Sequence, residues 1–278
     1  MFLLFQTILE FLDKSRSVNS RTHTTSAAPA PTLTPATIAA TMTCKIIVND
    51  ILHSEVANPN KLAFLNARDD ASLIRLSKQL LYFFSQRGEA LTKYLHEAET
   101  QTIRVSDKVR ALWREKLDDI KVTLAVLSDA EKSEAQLDEQ SKANRVAFFQ
   151  AARQAWEINL KEVLTQLSKE MIGPFALGMS VRSILRFPLI SGDYISPGDQ
   201  FSIADLHLAA WLTRVVSLVG GTKDDTGETI VVKLEGYIGG GFQIPRGFVS
   251  EQQTKIGAFW DAVRERPGWK KVYYNGLY

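Results

Sequence analysis

Gly198-Asp199-Gln200-Phe201-Ser202-Ile203-Ala204-Asp205-Leu206-His207-Leu208 reads as a helix start. Ser202 is the natural N-cap, and Asp205 at N3 can reach back to the Ser202 backbone N–H, a capping box with Asp in place of the usual Glu. Phe201 at N′ and Leu206 at N4 make the hydrophobic staple that sets the entry angle of the chain. The pattern runs on through Leu208-Ala209-Ala210-Trp211-Leu212-Thr213-Arg214-Val215-Val216 with almost no charge, so this helix should be buried nearly all round. Phe201, Ser202, Asp205 and Leu206 are therefore structural residues, and the helix is a folding nucleus rather than an active site. Gly220-Gly221 supplies the C′ glycine that ends it.

Three long amphipathic helices precede it. The first spans about Asp70 to Ala98, capped by Asp69 or Asp70, with Leu73, Leu76, Leu80, Phe84, Leu91 and Leu95 on one face. Gly88 inside it marks a candidate kink. The second starts after Ser106 and carries Val109, Leu112, Trp113, Leu117, Ile120, Leu124 and Leu127. The third starts near Ser141, carries Phe149, Trp156, Leu160, Leu164 and Met171, and stops at Gly173-Pro174. The acidic link from Ser128 to Gln140 reads as an exposed loop. Beyond the capped helix, Ile230 to Ile238 reads as a short helix with some strand-like character and Gly239-Gly240-Gly241 as a flexible break. Lys255 to Arg264 reads as a last helix, closed by Arg266-Pro267-Gly268-Trp269, with Val272, Tyr273 and Tyr274 packing the tail. Order begins near Lys45, where Ile46, Ile47, Ile51 and Val56 suggest a short helix or, less well, a strand over Lys45–Val48. Residues 1–44 read as a disordered leader rich in Ser, Thr, Ala and Pro. The whole is an all-α bundle over residues 45–278.

Composition bounds the function. Lys plus Arg, 33, nearly cancel Asp plus Glu, 31, which leaves a net charge of +2 and no nucleic-acid footprint. The one cysteine, Cys44, excludes a disulfide framework and any CxxC pair. His23, His53, His96 and His207 are too scattered for a metal set. No apolar run approaches the ~20 residues of a membrane helix. Phe2 to Leu12 is interrupted by Gln6 and Glu10 and lacks a basic flank, so it makes a poor secretory signal and a mediocre mitochondrial one. A cytoplasmic protein without metal, membrane or nucleic-acid partner is the default.

Two stretches carry a family resemblance: Gly198 to Trp211, and Phe259-Trp260-Asp261-Ala262-Val263-Arg264-Glu265-Arg266-Pro267-Gly268-Trp269. With the helix pair before them, they resemble the helical C-terminal domain of glutathione transferases, and more closely fungal glutathione-transferase-like proteins. The resemblance covers about Pro59 to Tyr273. It implies an N-terminal thioredoxin-like domain that binds glutathione, with the helical domain supplying the wall for a hydrophobic co-substrate. That N-terminal domain is expected to be missing here: about 45 residues precede the helices, without strand patterns or a Val-Pro turn followed by an acidic-Ser pair. No catalytic residue carries over, and Cys44 reads as incidental.

In the family the middle of the first long helix lines the active-site cleft. This implies Tyr82 and Arg87 as substrate contacts, against a solvated or domain-interface reading. The family activity is conjugation of glutathione to hydrophobic electrophiles, by attack of a thiolate that a hydroxyl donor stabilises. Glutathione would then be a co-substrate and no cofactor is implied. The alternative is a non-catalytic interaction module that meets a second copy or a partner protein through an exposed apolar face. A third reading is an unstable product with no function. Met179 to Gly198 departs from the family pattern and reads as an inserted loop or a translated intron. His207 is expected to be a hydrogen-bonded core histidine. Gly239-Gly240-Gly241-Phe242 lacks the Gly-Lys-Ser/Thr of a phosphate loop, and Asp224-Asp225-Thr226-Gly227-Glu228 lacks calcium-loop spacing.

Overall fold

The computed structural model describes residues 8, 11, 12, 15, 33, 38–172, 201–247 and 253–277. Every extended element among them is helical, and the one β-contact is an isolated bridge between Arg246 and Thr254. The fold is all-α. The helices are α1 (Ile38–Lys45), α2 (Pro59–Phe64), α3 (Asp70–Glu99), α4 (Asp107–Ser128), α5 (Glu139–Arg153), α6 (Leu160–Glu170), α7 (Ile203–Leu218), α8 (Gly227–Ile238), α9 (Lys255–Arg264) and α10 (Pro267–Val272). The expected insert at 179–198, the Gly173-Pro174 stop and most of the leader lie outside the described residues.

The chain divides into two compact units, one of Met1–Pro59 with Trp156–Tyr278 and the other of Asn60–Ala155. The long helix pair closes a core of its own within the second unit. In that unit Asp69 caps α3 through the Ser72 backbone N–H at 2.8 Å, and Ser106 caps α4. The helices run antiparallel: Tyr94 meets Trp113 at 5.7 Å between ring centroids and Arg114 bonds Glu99 at 3.3 Å. Leu73, Leu76, Phe84, Ile120, Val126, Leu127 and Phe148 form the core. Gly88 lies where the two helices pass, and a Cβ there would meet Ile120 Cγ2 at 3.4 Å. Its place is explained by that close approach. The link after α4 departs from a plain exposed loop. Ala130 and Leu137 are buried, and buried Arg145 donates to the carbonyls of Lys132, at 3.0 Å, and of Asp129. A guanidinium on the carbonyls that follow a helix C-terminus meets the negative end of its dipole.

The other unit is built round α7. Its order starts earlier than Lys45. Cys44, Ile47, Val48 and Ile51 are buried, a helical stripe that spans the end of α1 and a π-helical turn over Ile46–Leu52. The stretch is helical, as the sequence suggests, and the alternative strand over Lys45–Val48 does not form. A second π-helical turn, Gln154–Asn159, separates α5 from α6, so the expected third helix is continuous in chain but irregular in pitch, and it begins at Glu139 under an Asp138 cap. Trp211 Nε1 donates to the Ala57 carbonyl at 2.6 Å. At the C-terminus of α7, Gly220 takes φ +76°, the Gly221 N–H donates to Val216 O at 2.8 Å and the Gly220 N–H to Ser217 O at 3.2 Å. This pair of bonds is the Schellman motif.

The three glycines after α8 form a defined turn rather than a loose break. All have positive φ, Phe242 N–H donates to Gly239 O, and Glu235 on α8 accepts from Ile244 N–H and, through both carboxylate oxygens, from Arg246 Nη2. The tail also differs from expectation. Pro267 opens α10 at its first position, where its missing N–H costs nothing. Trp269 faces inward while Val272 and Tyr274 are exposed.

Candidate functional site

The start of α7 and the start of α10 meet. At the first, Asp205 Oδ2 accepts from the Ser202 backbone N–H at 2.8 Å and from Ser202 Oγ at 2.6 Å, and the Asp205 N–H donates to Ser202 Oγ at 3.4 Å. Asp205 is fully buried, at 0% exposure, so these bonds replace the water its carboxylate loses. At the second, Arg266 is the N-cap residue of α10, and its extended backbone turns the side chain back over the ring of Phe201, 4.1 Å from guanidinium carbon to centroid. Burial lowers the Arg266 pKa and the nearby Asp205 charge raises it; burial has the larger effect and the net shift is down. Arg266 remains a cation, since guanidinium does not lose its proton in proteins.

Between these starts lies a cavity of about 490 Å³. Phe201, Leu206 and Ala210 of the α7 region form one side, and Arg266, Trp269 and Tyr273 the other. Trp269 packs edge-on to Trp260 at 5.7 Å and tilted against Tyr273 at 5.0 Å. Size and lining fall in the range of small-molecule pockets: concave and mostly apolar, with Arg266 the one charged group in the wall. The staple residues Phe201 and Leu206 both line it.

Elsewhere on α7, His207 Nδ1 and His53 Nε2 share a hydrogen bond of 3.1 Å. His207 is the hydrogen-bonded histidine its position suggested. Burial, and secondarily the His53 charge, push its pKa down to about 4; burial lowers that of His53 too. Both rings are neutral at pH 7. His207 Nε2 is buried with no hydrogen-bond partner among the described residues. Cys44 is buried, which removes it from reagents in the folded chain.

The two residues nominated as substrate contacts lie on α3. Tyr82 is 74% exposed and its hydroxyl accepts from Gln86 Nε2 at 2.6 Å; Arg87 is exposed. Neither lines the cavity above, which belongs to the other unit. Neither lines the groove of about 590 Å³ that runs between α3 and α4 over Gly88, Leu117, Ile120 and Leu124. Next to Tyr82, Leu81 and Phe83 are also exposed, and Phe83 leans on Phe64 at 5.9 Å.

Sequence reasoning singled out Phe201 and Leu206 as structural and missed Arg266 and Trp269 as their neighbours across a cavity. The signal was present only as a second motif, and nothing local pairs it with the first. Among the described residues, no group of three or more His, Cys, Asp or Glu side chains is placed to hold a metal ion, and no helix is long and apolar enough to cross a membrane. Comparison of the chain with protein-family models, with curated proteins and with solved structures finds no match.

Proposed function

We propose that this chain is a glutathione-transferase-like protein of the cytoplasm. Its helical body is of the family's C-terminal kind and offers a surface to a hydrophobic co-substrate, with Tyr82 and Arg87 as contacts. Its own conjugation of glutathione is weak or absent. The observation that supports the reading is the meeting of the two stretches that carry the resemblance, through Arg266 over Phe201. The buried capping box adds to it, since it shapes the helix on which the resemblance rests.

The test is calorimetry with glutathione and with a hydrophobic electrophile, and a conjugation assay on the same sample. The expected result is a folded, helical protein that binds the electrophile more weakly when Tyr82 or Arg87 is replaced by Ala, with weak or no turnover. Glutathione binding with strong turnover would overturn that part. Electrophile binding indifferent to both substitutions would overturn the site.

A second reading, an interaction module that meets a second copy or a partner protein, is favoured by Leu81, Tyr82 and Phe83. Three consecutive large apolar residues exposed on one helix give apolar surface that association would remove from water. A concentration-dependent mass in sedimentation, lost in Tyr82→Ser/Phe83→Ser, would support this reading over the first.

A further inference from the structure

We propose that the cavity between the starts of α7 and α10 is a binding site for an uncharged, planar aromatic molecule of two or three fused rings. The walls are aromatic on both sides: Phe201 on one, Trp269 and Tyr273 on the other. Such faces recognise flat apolar ligands by stacking and edge contacts. The volume, about 490 Å³, accommodates a molecule of that size.

The charge arrangement selects against ions of either sign. A cation would meet the guanidinium of Arg266, the one charged group in the wall. An anion would gain little from it. Arg266 already lies on the Phe201 face and already has further partners, and the buried carboxylate of Asp205 sits within electrostatic reach of it. An anionic ligand would therefore give up its hydration beside a cation that already has partners and a fixed negative charge. A neutral ring system loses no ionic hydration and gains the aromatic walls. This site is in a different compact unit from Tyr82 and Arg87, and the inference needs neither glutathione nor the family reading.

The test uses the full chain at pH 7 and three near-isosteric probes: 2-naphthylmethanol, 2-naphthoate and 2-naphthylmethylammonium. Calorimetry should give 2-naphthylmethanol a Kd at least tenfold lower than either ion. Gly268→Phe and Ala210→Trp put bulk into the cavity wall; a Cβ at Gly268 meets no atom within 4 Å, and Ala210 is an exposed helix position. Each should weaken the neutral probe at least tenfold, while Val122→Ala, at an exposed position of the other unit, leaves it unchanged. In the unsubstituted chain the neutral probe should shift the Trp269 indole resonance and leave that of Trp113 in place, a readout that stands even if a filled variant fails to fold. The proposal is overturned if 2-naphthylmethanol shows no saturable binding, if either ion binds as tightly, or if the Trp269 resonance stays fixed while the probe binds.

Discussion

The guanidinium of Arg266 lies over the ring of Phe201 at 4.1 Å, and through this contact the N-terminus of α7 and the N-terminus of α10 become one packed corner. A cation on an aromatic face contributes about 0.5–2 kcal/mol, with the larger values where water is excluded. Next to it the buried Asp205 both completes the capping box and supplies a field that offsets part of the cost of half-burying the cation. One carboxylate thus serves the local helix start and the long-range corner.

Asp205→Ala should therefore cost more than an ordinary cap. A cap residue contributes about 1 kcal/mol, and loss of charged hydrogen bonds at a buried site adds about 1.5–3 kcal/mol. Urea denaturation should show a loss of about 3 kcal/mol for Asp205→Ala. Ser202→Ala, which removes only the hydroxyl, should lose about 1–2 kcal/mol.

Two glycines on α8 should respond in opposite directions. A Cβ at Gly227 would sit 2.0 Å from the Gly257 carbonyl oxygen, where backbone meets backbone and no side chain can swing away. Gly227→Ala should destabilise by about 3 kcal/mol or more, in the class of overpacking with forced backbone movement. Gly236, exposed with open space around it, should gain about 0.5–1 kcal/mol as Ala through helix propensity. Thermal melts of the two variants would check both signs.

The His53–His207 pair sets a pH dependence. His207 titrates near 4 when folded against an ordinary 6.5, so the unfolded chain takes up the proton first. Stability contributed by the neutral ring is complete above pH 6.5 and falls as pH drops from 6.5 towards 4. The urea midpoint of the wild type should fall between pH 7 and pH 5. His207→Phe should remove most of that slope while shifting the midpoint at pH 7 far less.

Arg145 is buried and holds two carbonyls beyond α4 and, at 3.3 Å, Asp70 Oδ1 at the start of α3. Arg145→Ala leaves buried acceptors without a donor and should cost about 3 kcal/mol. Arg145→Lys should recover little of it, because one ammonium cannot reproduce the spread of the guanidinium fork. Hydrogen exchange of α3 to α5 would report the loss within that unit.

The parts of this fold legible in the sequence are those whose signals are local. Ser202, Asp205, Gly220 and Gly221 mark both ends of α7 within one stretch, and each end takes the bonding that its residue types prescribe. Asp69 and Ser106 mark the starts of α3 and α4 in the same way. The early start of order was obscured because the leader's Ser, Thr and Ala composition runs on through Thr43, while the buried stripe begins only at Cys44 and crosses a π-helical turn that breaks the 3.6-residue period. The same irregularity hid the break at Gln154–Asn159. Division into two units and the pairing of His53 with His207 depend on contacts between distant segments, for which one sequence holds no mark. The candidate cavity has the same origin: Arg266 and Trp269 were read as the close of one helix, and their role appears only when α7 lies across from them.

The stretch opening at Ser202 and the stretch closing at Trp269 form one cooperative corner. A double-mutant cycle on Phe201→Leu and Arg266→Met, read by urea denaturation, measures that cooperativity. A coupling of about 1 kcal/mol is expected between the two positions. Additivity within about 0.3 kcal/mol would contradict it.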